Sequence, residues 1–86
     1  MTDSYELRIK QSAKKELRKI GRKDLRRIAL CIKGLAANPR PAACEKLAGE
    51  IGYRIRQGDY RIIHTINDEN HIVEIFKVGH RREVYR

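Results

Sequence analysis

The chain has 86 residues, and its 20 Lys and Arg outnumber 11 Asp and Glu to give a formal charge of +9. A chain this short buries only about 60% of its unfolded surface or slightly more, so a single domain over residues 1–86 with one modest core is expected. Two cysteines, Cys31 and Cys44, are too few for a disulfide framework and fit no zinc spacing. No apolar run approaches the roughly 20 residues a membrane span needs, and no signal-peptide pattern opens the chain. The cytosol is therefore the expected compartment. A domain this basic calls for a polyanion, with nucleic acid the first candidate and an acidic protein the second.

In chain order, Tyr5-Glu6-Leu7-Arg8-Ile9 alternates as a half-buried strand does. Ser12 can cap a helix whose stripe is Ala13, Leu17 and Ile20, and Gly21 breaks it. A second helix repeats Leu25, Ile28, Ala29, Ile32, Leu35 and Ala36 at helical spacing. It ends at Asn38-Pro39, because the residue before proline is pushed out of the α region. The two helices form an antiparallel hairpin.

Pro39, Pro41, Gly49 and Gly52 mark residues 38–52 as a loop, anchored to the core through Leu47. Three strands follow, over 53–56, 60–66 and 72–78, joined by short turns at Gly58-Asp59 and residues 67–70, and so antiparallel. The expected fold is α+β, in the order β-α-α-β-β-β. The N-terminal helical hairpin packs on one face of an antiparallel sheet. Alternation puts Tyr53 and Ile55 toward the helices and Arg54 and Arg56 on the other face. If Tyr60, Ile62 and Ile66 also face the helices, Arg61, Ile63 and Thr65 join the open face. A basic open face suits a single RNA strand.

"YRIRQGDYRIIHTI" followed by "FKVGHRREVY" resembles the RelE toxins of the RelE/ParE superfamily. The "NPRP" helix exit and the "KLAG" loop agree with them, and the likeness covers nearly the whole chain. The resemblance implies the RelE fold, similar to that of the microbial ribonucleases, and the toxin role in a type II toxin–antitoxin system. It implies an endoribonuclease that cuts mRNA in the ribosomal A site, against ribosomal RNA. The mRNA's 2′-OH attacks the adjacent phosphate without a metal or other cofactor. It also implies an acidic RelB-like antitoxin as partner, with DNA contacted only through that antitoxin, and no membrane. Carried over by motif, the catalytic set falls on Arg54, Arg56, Arg61, Arg81 and Tyr85. Relatives often have lysine where Arg54 and Arg56 stand. Arginine scarcely deprotonates, so these two positions are suited to charge stabilisation rather than to a general base.

The chemistry of the residues points the same way. Guanidiniums match phosphate oxygens bidentately, and donors aimed at developing charge are often the largest catalytic contribution. His80, as an imidazole, could move a proton, while Tyr85 could stack a base or hydrogen-bond a phosphate or 2′-OH. His64 and His71 read as structural, and Cys31 and Cys44 as inert. Leu30 falls off the main stripe of its helix. Two other functions fit the fold: a ParE-like toxin that inhibits DNA gyrase without cutting, and an RNA-binding module without catalysis.

Overall fold

The computed structural model describes residues 4–47 and 52–82. Its order is β1 (Glu6–Ile9), α1 (Gln11–Arg18), α2 (Arg22–Ala37), β2 (Cys44–Lys46), β3 (Tyr53–Gln57), β4 (Tyr60–Asn67) and β5 (Ile72–His80). The strands form one sheet in the order β1-β5-β4-β3-β2. The two helices pack against it around Ile28, Ile32, Leu35, Ile55, Ile62 and Val78, all nearly inaccessible to solvent. The expected α+β fold with a helical hairpin is the observed one.

Three local expectations are corrected. β1 pairs with β5 in parallel, so the sheet is mixed, although its other pairings are antiparallel. Alternation in residues 5–9 has no means of naming a partner some 65 residues away. The stretch expected to be loop contributes β2, which pairs Cys44 with Ile55 and Lys46 with Tyr53. Leu47 follows it, its N–H donating to the Gly52 carbonyl at 3.0 Å. Finally, Ser12 does not cap α1. The cap position is Lys10, in extended conformation, and no side chain bonds there.

The helices take unequal parts. α2 crosses the face from β1 to β3, whereas α1 lies mainly along β5. β1 runs beside β5 only as far as Ile75. Beyond that point the Glu16 carboxylate accepts the Val78 N–H at 3.1 Å, so a helix side chain stands in for a missing strand partner. The β3–β4 connection is the two-residue turn Gly58-Asp59, with Gly58 at φ 59°. That is the left-handed first position of a type II′ hairpin, which glycine occupies without a Cβ clash.

A polar network closes the opposite end. The Tyr5 hydroxyl donates to Asp68 at 2.7 Å, and Arg40 donates to both Asp68 oxygens at 3.2 and 2.8 Å. Arg40 also reaches the Tyr53 hydroxyl at 3.2 Å. Helix exit, first strand, β3 and the β4–β5 turn are thus tied at one carboxylate. Its pKa is held down to about 2, first by the Arg40 hydrogen bonds and then by Tyr5.

Beneath this network His64 is fully buried. Its Nε2–H donates to the Pro39 carbonyl at 3.0 Å, and its ring stacks on Tyr53 at 5.6 Å. Burial lowers its pKa, and the nearby Arg40 charge lowers it further. The unfolded chain therefore takes up this proton before the folded one does, and folding opposes protonation.

Stability attributable to His64 is whole above the ordinary value of 6.5 and declines as pH falls through the lower folded value. A second loss follows below 3.8, as Asp68 is protonated. Thermal melts across this range are expected to show both limbs, and His64→Phe, which cannot titrate, is expected to lose the upper one. In the core, Ile62→Ala is expected to cost about 2–5 kcal/mol in denaturant unfolding, because the site is closed on every side.

Candidate nucleic-acid face and active site

The face away from the helices is built by cross-strand pairing. Arg56 stands directly opposite Arg61, and Arg54 opposite Ile63. On the far side of β4, Arg61 pairs with Gly79 and Ile63 with Lys77. Partners across a ladder project to the same side, and Ile55, Ile62 and Val78 between them are buried under the helices. Arg54, Arg56, Arg61 and Lys77 therefore share the open face. Two like charges directly opposite each other destabilise a sheet unless an anion lies between them.

The four cations are not equivalent. Arg54 is ion-paired with Glu45, its neighbour across β2–β3, and only 18% of its side chain is accessible. Arg61 turns one guanidinium nitrogen onto the carbonyls of Gly58 and Tyr60, at 3.2 and 3.0 Å. These bonds brace it against its own hairpin and leave further N–H donors of the fork for a ligand. Arg56 is exposed.

Arg81 follows the last strand. Its N–H extends the ladder to the Asp59 carbonyl at 2.7 Å. Its Nε lies 4.0 Å from the Asp59 carboxylate. The hairpin turn thus fixes the position of both Arg61 and the backbone of Arg81.

His80 is placed apart from these groups. It pairs with Tyr60 across β4–β5, edge to face at 5.8 Å. The two rings line a cleft of about 390 Å³ with Glu16, Lys19 and Ile20, at the C-terminal end of α1. His80 and Arg61 thus belong to opposite sides of the sheet. The His80 Nδ1 accepts the Arg82 N–H at 3.3 Å. Tyr85 lies outside the described residues. Strand alternation carries no signal for Lys77, because a β-bulge at Phe76 shifts the phase of β5 and turns Lys77 outward. At that bulge Lys10 caps the Phe76 ring, its Nζ 4.8 Å from the centroid.

Among the described residues no group of three or more His, Cys, Asp or Glu could hold a metal ion. Burial raises the pKa of both Cys31 and Cys44, which keeps them as thiols and poor nucleophiles. None of the described helices is long and apolar enough to cross a membrane.

If opposition of Arg56 and Arg61 is held for a ligand, removing one charge relieves the fold. Arg56→Gln is expected to leave stability unchanged or to raise it by up to about 1 kcal/mol in urea unfolding at low salt. The gain is expected to shrink as salt screens the pair.

Comparison with known proteins agrees with this architecture. Residues 7–85 match the family described as the ParE toxin of the type II toxin–antitoxin system parDE. No curated protein matches. Among solved structures, the isolated RelE toxin of E. coli superposes with a TM-score of 0.79 at 31% identity, covering 95% of this chain and 92% of that one. In the toxin–antitoxin complex RelBE2 of Mycobacterium tuberculosis the matching chain gives 0.80 at 27% identity, with 91% and 99% covered. A chain of the RelE–RelB complex of Pyrococcus horikoshii gives 0.78 at 27% identity, with 98% and 100% covered. The chain belongs to the ParE toxin family within the RelE/ParE superfamily, the toxins of type II toxin–antitoxin systems.

Proposed function

We propose that this toxin is an endoribonuclease that cuts mRNA in the ribosomal A site and is silenced by an acidic RelB-like antitoxin. The observation that carries the reading is the opposed pair Arg56 and Arg61 on the open face, with Arg81 bonded to the adjoining turn. Transesterification concentrates negative charge on a pentavalent phosphorane. Fixed guanidiniums beside it lower that barrier without having to reorganise. In the reaction the 2′-OH loses its proton and bonds to phosphorus while the bond to the 5′-oxygen breaks. That oxygen takes up a proton, and a 2′,3′-cyclic phosphate and a 5′-OH remain. Arg61 and Arg81 hold the phosphate oxygens, Arg56 adds positive field, and Arg54 acts once the RNA displaces Glu45. Tyr85 orients the 2′-OH or stacks on a base. The likeness to RelE structures at 27–31% identity supports this reading, and the RelE–RelB complexes among them support the antitoxin.

A second reading is kept because the matching family model is that of ParE toxins. On it the chain inhibits DNA gyrase and cuts no RNA. The two separate in a pair of assays. Programmed ribosomes are expected to yield mRNA cut at A-site codons, and gyrase supercoiling of relaxed plasmid is expected to be unaffected. Intact mRNA together with lost supercoiling would replace the nuclease reading by the gyrase one.

Arg61→Ala and Arg81→Ala are each expected to lower single-turnover cleavage by roughly 10²–10³, the usual cost of one oxyanion-directed donor. Both should keep a native circular dichroism spectrum, since neither removal opens a cavity in the core. Tyr85→Phe is expected to cost less than Arg81→Ala, because a charge-assisted bond exceeds a neutral one. His80→Gln is expected to leave the pH profile of cleavage in place, because His80 faces the helix side; a flattened profile near neutrality would return it to the reaction.

A further inference from the structure

The net charge is not on the open sheet face. Residues 10–33 hold ten Lys and Arg against Glu16 and Asp24, a net +8, while the rest of the chain holds ten against nine. The helical hairpin therefore carries nearly all of the +9. The four ion pairs among the described residues involve Arg8, Arg40, Arg54 and Arg81, all outside this segment. Glu16, one of the two carboxylates available, is committed to the Val78 N–H.

On α2 the cations occupy the side turned from the sheet. Ile28, Ile32 and Leu35 are buried, whereas Arg22, Lys23, Arg26 and Arg27 are exposed. These four wall a shallow concavity of about 470 Å³. Arg22 with Arg26, and Lys23 with Arg27, are like charges four residues apart, which weakens a helix by roughly 0.2–0.5 kcal/mol per pair. Arg22 and Lys23 also sit in the first turn, at the positive end of the helix dipole. Local energetics thus oppose this arrangement, and Asp24, in the same first turn, is the one carboxylate of α2 that offsets it.

We infer that the outer face of the helical hairpin is a second nucleic-acid surface, one that grips the phosphate backbone of double-stranded RNA. A protein partner would need an apolar or aromatic centre in the interface. This face offers one large exposed apolar side chain, Leu30, at 66%, and beside the cations a small apolar groove of about 240 Å³ lined by Leu7, Leu17, Leu25 and Ala29. The other exposed large hydrophobic among the described residues, Phe76, lies beside the bulge of β5. A phosphate backbone needs charge alone and is read by shape across the wide minor groove of an A-form helix. The choice of RNA over DNA rests on the proposed ribosomal function. The toxin would then hold structured RNA with its helices while its sheet takes the single strand to be cut.

The test is fluorescence anisotropy with an end-labelled RNA duplex of about 20 base pairs, long enough to cross successive grooves, titrated over a range of salt. Arg22→Gln/Lys23→Gln/Arg26→Gln/Arg27→Gln is expected to weaken binding at least tenfold at ~0.1 M salt. The slope of log affinity on log salt should fall by about 3 to 4, near 0.9 for each phosphate left without its cation. Substituting Lys at Arg22, Arg26 and Arg27 should retain most of both. Arg56→Gln/Arg61→Gln should leave duplex affinity within about threefold while cleavage on ribosomes falls, which separates this surface from the nuclease reading. Duplex binding persists on this inference even if no mRNA is cut. Wild-type affinity and slope in the quadruple variant would overturn it, as would a loss confined to binding of poly-glutamate, which would assign the face to an acidic protein.

Discussion

Ile75 and Val78 are both fully buried although they are three residues apart, which a regular strand, alternating every residue, does not permit. The extra residue is accommodated at Phe76, where the pairing steps from Ile63 with Lys77 to His64 with Ile75. This bulge fixes the phase of everything after it. It turns Val78 into the core and Lys77 out, brings Gly79 beside Arg61 and sends His80 to the helix side. It also lies where β1 ceases to flank β5 and α1 takes over, through Glu16 and Val78. Bulges re-aim side chains in this way near functional sites.

The same constraint separates three charge environments in a domain of 86 residues. At one end of the sheet Arg40 and Asp68 form a network with Tyr5 and Tyr53 that closes the fold over His64. On the open face the guanidiniums are held in place: Arg61 by turn carbonyls, Arg54 by its ion pair with Glu45, and Arg81 by the backbone and carboxylate of Asp59. On the helices no cation is ion-paired among the described residues. Bracing suits a site that must present donors in fixed directions. Unpaired, solvated charge suits a surface that recognises a backbone of phosphates wherever it falls.

This division bears on how a toxin of this family meets its target. A nuclease that reads the open face alone would draw little from the +9, because the chain outside residues 10–33 is nearly neutral. Long-range attraction to a polyanion must come from the helical side. On the proposed reading, chemistry and encounter are distinct tasks on opposite surfaces.

The sequence by itself determined the helices, the hairpin strands and the burial of one face. Ala13 and Leu17 in α1, and Ile28, Ile32 and Leu35 in α2, repeat at helical spacing, and Tyr53-Arg54-Ile55-Arg56 alternates, so local periodicity names the element and the face together. The sharing of one surface by Arg54 and Arg56 was legible for that reason, that of Arg61 only for one of the two phases that adjacent Ile62 and Ile63 leave open, and the terminal motif pointed to the family. Tertiary structure alone decided the parallel seat of β1, the strand at Cys44–Lys46, the outward turn of Lys77 and the separation of His80 from Arg61. Each depends on a partner distant in sequence or on one unpaired residue at Phe76. A two-residue period cannot register such a bulge, because adding one residue reverses every side chain beyond it.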